Sequence, residues 1–78
     1  MNDWLSARAD ALAAQSGLER TALELSDEEI DAILDLAGHA AHESGVRTNA
    51  PLLCYLIGRA QAGGASFREL DEIARSTS

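Results

Sequence analysis

The run Ser26-Asp27-Glu28-Glu29 constrains this chain more than any other feature, because it is a complete helix start signal. A serine hydroxyl can accept from the N–H three residues on, and the glutamate there can reach back to the serine N–H. Leu25 and Ile30 flank it as a hydrophobic staple, and three acids in the first turn suit the positive end of the helix dipole. A second box, Ser66-Phe67-Arg68-Glu69, repeats the pattern near the C-terminal end. No segment alternates apolar and polar residues as a half-buried strand would. Asn2 before Asp3 predicts a first helix over 3–15, stopped by Gly17. The boxes predict helices over 27–44, ended by Gly45, and over 67–76, and Pro51 in a first turn predicts one over 50–62, ended by Gly63-Gly64. The expected fold is all-α, a compact four-helix domain spanning 1–78, packed as a bundle or an orthogonal array.

Helical periodicity assigns an inner side to each segment. Trp4, Leu5, Ala9 and Leu12 are expected to face inward from the first helix. Ile30, Ile33, Leu34, Ala37 and Ala41 are expected inward from the second, with Asp31, Asp35, His39 and His42 opposite. Phe67, Leu70, Ile73 and Ala74 form the stripe of the last. The third helix is apolar almost all round from Leu52 to Ile57, so it is either central to the domain or part of an interface. The 51–60 rod is the expected shared hydrophobic centre. The connection from Leu18 to Leu25 carries three leucines and is expected to lie on the core.

Length and charge narrow the function classes. A chain of 78 residues buries only roughly 60–65% of its unfolded surface, and a core of that scale supplies about 3–5 kcal/mol. Cys54 is the single cysteine, so neither a disulfide nor a cysteine-rich zinc site can reinforce it. Tight helix packing or self-association is left. Thirteen acids against six arginines, with no lysine, give a net charge of −7. The arginines stand singly, so neither nucleic acid nor an anionic membrane is an expected partner. Met1-Asn2-Asp3-Trp4 does not open a signal peptide, and the apolar run 50–57 is far short of the ~20 residues that cross a bilayer. With its lone thiol, the chain is expected in the cytoplasm.

Few side chains point to chemistry. Asp35, His39 and His42 are spaced i, i+4, i+7 on one arc of the second helix. Two imidazoles and a carboxylate there could bind a divalent transition metal, and Asp31 and Glu43 are near enough to assist. The same arc also serves as the wet face of an amphipathic helix. The acidic run 27–35 is explained by capping and solubility, and no calcium loop accompanies it. Cys54 lies in an apolar helix, where desolvation silences a thiol. Gly63-Gly64 precedes Ala-Ser-Phe and not the Lys-Ser or Lys-Thr of a phosphate loop. No catalytic residue and no cofactor are expected, and the chain is not expected to be an enzyme.

Trp4-Leu5, Ile33-Leu34-Asp35-Leu36-Ala37, Ala41-His42, Arg47, Ala50-Pro51-Leu52 and Leu56-Ile57-Gly58 together carry a family resemblance. From Trp4 to about Gly63 the chain resembles a small helical family of high-GC bacteria, found alone or fused to the C-terminal end of molybdenum cofactor guanylyltransferases. It departs from that pattern at Gly38-His39, where an arginine and an acid are more typical. The resemblance implies a non-catalytic interaction or ligand-binding domain, accessory to biosynthesis of molybdopterin guanine dinucleotide. A guanylyltransferase or a molybdoenzyme is the implied partner. It also marks His42, Arg47 and Asn49 at the corner before Pro51. There Arg47 could receive an anionic group beside the N–H groups opening the third helix. Alternatively, His42 and Arg47 fix the corner by hydrogen bonds. The runner-up is a structural module that self-associates through the third helix, a homodimer being one such assembly.

Overall fold

Helix α1, Asp3–Ser16, begins where Asn2 Oδ1 accepts from the Leu5 N–H at 2.8 Å. It ends at Gly17, whose φ of +75° is the left-handed cap, with the Leu18 N–H closing on the Ala13 carbonyl. A computed structural model describes residues 1–77. In it the chain continues through a 3₁₀ turn, Arg20–Leu23, to α2, Asp27–Ser44. Helices α3, Asn49–Gln61, and α4, Phe67–Ser76, complete it. Among the described residues there is no strand, and the chain is all-helical as expected.

The two start signals differ in detail. At Ser26 the box is complete: the Glu29 N–H donates to Ser26 Oγ at 3.1 Å and the Ser26 N–H to Glu29 Oε1 at 3.0 Å. At Ser66 only half forms. The Glu69 N–H donates to Ser66 Oγ at 3.2 Å, but the serine hydroxyl, and not its backbone N–H, meets the Glu69 carboxylate. Helix α3 opens with no side-chain cap; Thr48 is already helical in φ and ψ.

The residues cluster as two compact units, Met1–Ala32 and Ile33–Ser78. In the first, Ala9 and Ala13 are the buried apolar residues. Arg20 ties the 3₁₀ turn to α1: its Nε donates to Asp10 at 2.6 Å and its Nη1 to Glu24 at 3.0 Å. The hydrogen bond to Asp10 raises the arginine further above its ordinary pKa. Leu23 and Leu25 lie with Leu5 and Leu12 along a groove of about 270 Å³. In the second unit Leu36, Ala40 and Ile57 are buried, and α3 packs against α4.

Several inner faces are corrected. Trp4 and Leu12 are exposed, because α1 buries its alanines. Leu18 is exposed as well, unlike Leu23 and Leu25. On α2 the buried arc is centred on Leu36 and Ala40, leaving Leu34 65% exposed. Ile73 lies outside the covered stripe of α4. The rod from Pro51 to Ala60 is no shared centre: Ile57 is its one buried residue, and Leu52, Tyr55 and Leu56 stand in solvent.

Candidate functional site

Two of the three metal candidates, Asp35 and His39, lie against different charged neighbours. Arg75 at the end of α4 donates from Nη2 to Asp35 at 2.7 Å and from Nε to both Asp71 oxygens, at 3.0 and 3.1 Å. Its hydrogen bonds to Asp71 and then Asp35 raise the guanidinium further above its ordinary pKa. Asp35 thus joins α2 to α4 and is turned toward a cation of the chain's own. His39 is half-buried, with Nε2 2.5 Å from a Glu43 carboxylate oxygen. Nε2 thus has a carboxylate beside it while making no hydrogen bond among the described residues. His42 is exposed. Among the described residues, no group of three histidine, cysteine, aspartate or glutamate side chains converges as metal ligands.

The corner between α2 and α3 is built by Gly45, the expected helix stop, together with Ser44, whose side chain was given no role from the sequence. Ser44 Oγ donates to the Ala40 carbonyl at 2.6 Å and accepts from the Val46 N–H at 3.2 Å. Gly45, at φ +71°, makes the bend. The Asn49 and Ala50 N–H groups donate to the Val46 and Arg47 carbonyls at 3.0 and 3.2 Å. Pro51 has no N–H, so the opening of α3 offers fewer free donors to an anion than a simple helix start would. His42, Arg47 and Asn49 are all exposed, and among the described residues the side-chain hydrogen bonds at the corner are those of Ser44, with Gly45 making the bend. Serine after a histidine-acid pair and before glycine was the available signal.

What the structure adds is a face of α3. Leu52, Tyr55 and Leu56 are 61%, 66% and 58% exposed on one side of that helix. The Arg59 guanidinium lies 5.8 Å from the Tyr55 ring centroid, within cation–π range. Leu53 and Cys54, by contrast, are half-buried. Burial pushes the Cys54 thiol up, disfavouring the thiolate. Alkylation of Cys54 by iodoacetamide near neutral pH is therefore expected to be slower than in the denatured chain. A rate equal to that of the denatured chain would contradict the burial. The sign for stability follows: the neutral thiol is favoured by folding, so its contribution is full below the ordinary thiol range and is lost as pH rises through the raised value.

Fold and surface define a small all-helical domain whose third helix keeps Leu52, Tyr55 and Leu56 outside. The chain belongs to the DUF6457 family, a domain of unknown function, which it matches over residues 1–78. No curated protein and no solved structure matches it. Among the described residues no helix is long and apolar enough to cross a membrane.

Proposed function

We propose that this chain is a non-catalytic interaction domain that serves molybdenum cofactor biosynthesis in the bacterial cytoplasm, docking on the guanylyltransferase or a molybdoenzyme through α3. The observation that carries the docking role is the exposed Leu52, Tyr55 and Leu56 face. Tyrosine and arginine are enriched among residues that dominate interface energetics, and Tyr55 and Arg59 stand together there. The choice of pathway rests on the sequence resemblance alone.

Titration of the chain with the guanylyltransferase, followed by calorimetry, tests this. Saturable binding is expected, weakened at least about tenfold by Leu52→Gln together with Leu56→Gln while the helical circular dichroism is kept. No binding to the guanylyltransferase or to a molybdoenzyme, with or without molybdopterin guanine dinucleotide, would remove the pathway assignment.

A further inference from the structure

Charge is distributed very unevenly along this chain. No acid occurs between Glu43 and Glu69, and of the three arginines in that interval Arg47 precedes α3, Arg59 lies on it and Arg68 lies on α4. The exposed face of α3 is therefore apolar with one cation, Arg59, and no acid, in a protein whose net charge is −7. Its complement would be a helix face that is acidic, with an exposed large apolar residue at its middle.

The same unit carries such a face. On α4, Glu69, Glu72, Ile73 and Ser76 line one shallow concavity. Ile73 is exposed among them, Arg68 stands 3.6 Å from Glu72 in an exposed ion pair that a partner's cation would share, and Asp71 and Arg75 are engaged with each other elsewhere on the helix. The spacings also correspond. Counting back from Arg59, Tyr55 and Leu52 lie four and seven residues away. Counting forward from Glu69, Ile73 and Ser76 lie four and seven residues away. At about 1.5 Å per residue, both rows span about 10.5 Å. Laid antiparallel, they set Arg59 beside Glu69 and Glu72, Tyr55 against Ile73, and Leu52 over the small Ser76.

We infer that the α3 face is covered by the acidic face of α4 from a second copy of this chain, in a two-fold dimer. A two-fold axis makes the contact reciprocal, so each α3 meets the other copy's α4 and the assembly closes. Because α3 and α4 already pack together within one chain, four helices meet at the interface. Self-association also supplies what a chain with so small a core lacks. The inference rests on reading α3 as a docking face and does not depend on the molybdenum cofactor assignment. A second copy and a guanylyltransferase would compete for that face, so partner binding draws on the monomer.

Sedimentation of the full chain from micromolar to millimolar concentration tests it. The mass is expected to rise from 8.3 kDa toward twice that value, and less so at high salt. Arg59→Glu should weaken the dimer about tenfold or more, and adding Glu72→Arg in the same chain should restore most of the loss. Circular dichroism should show all three proteins equally helical. A monomer throughout, an assembly larger than a dimer, indifference to Arg59→Glu, or failure of the second change to rescue it would each overturn the dimer. Leu52→Gln with Leu56→Gln separates the two ideas: if the protein is monomeric but these changes still abolish guanylyltransferase binding, only the dimer falls.

Discussion

Leu36→Ala is expected to destroy most of this chain's stability, while Leu34→Ala two residues away leaves it nearly unchanged. Leu36 is the one large side chain that is fully buried among the described residues. Truncating a buried leucine costs about 2–5 kcal/mol, part from lost transfer free energy and part from the cavity left behind. Against a core that supplies about 3–5 kcal/mol, that loss leaves little margin. Leu34 is mostly exposed, and substitutions at such positions usually fall within about 0.5 kcal/mol of neutral. Urea titrations followed at the helical circular dichroism band, on dilute protein, compare the two. A larger loss for Leu34→Ala than for Leu36→Ala would mean that α2 is buried on the other side, and equal losses would contradict the exposure of Leu34.

That contrast shows what could be read from the sequence and what could not. Helix starts were legible because a capping box is a local device: Ser26 and Glu29 need only each other, and they form both bonds. Helix ends were legible for the same reason at Gly17 and Gly45, both in the left-handed region. Facing was not. On α2, Ile30, Ile33, Leu34, Leu36 and Ala37 spread around too much of the helix for periodicity to choose a centre. On α3 an apolar run without polar punctuation carries no phase at all. On α1, small residues are buried and large ones left out, which reverses the usual weighting of size. The candidate site suffered similarly. The partner of Asp35 is Arg75, forty residues away, and no spacing rule connects them. The bare side of α3 was foreseen only as one of two alternatives.

Gly45→Val is the second substitution expected to act strongly, and it tests how the α2–α3 corner is held. At φ +71° a side chain crowds the following carbonyl, which costs about 1–2 kcal/mol for an ordinary residue, and valine's branched carbon is especially ill-suited. No atom lies within 4 Å of a Cβ built there, so the penalty arises from backbone conformation and not from a clash. Gly45→Asn, whose side chain tolerates this region, should lose clearly less. Ser44→Ala should lose about 0.5–1.5 kcal/mol through its hydrogen bonds to Ala40 and Val46. His42→Ala and Arg47→Ala, both at exposed positions, should stay within about 0.5 kcal/mol of the parent. If Arg47→Ala instead costs more than Gly45→Val in the same urea titration, the corner is held by its charged side chains and the backbone account fails. The expected order has a functional consequence. Side chains that contribute nothing to the bend can be varied without disturbing it, so any change in partner binding on altering His42 or Arg47 reports contact with the partner directly.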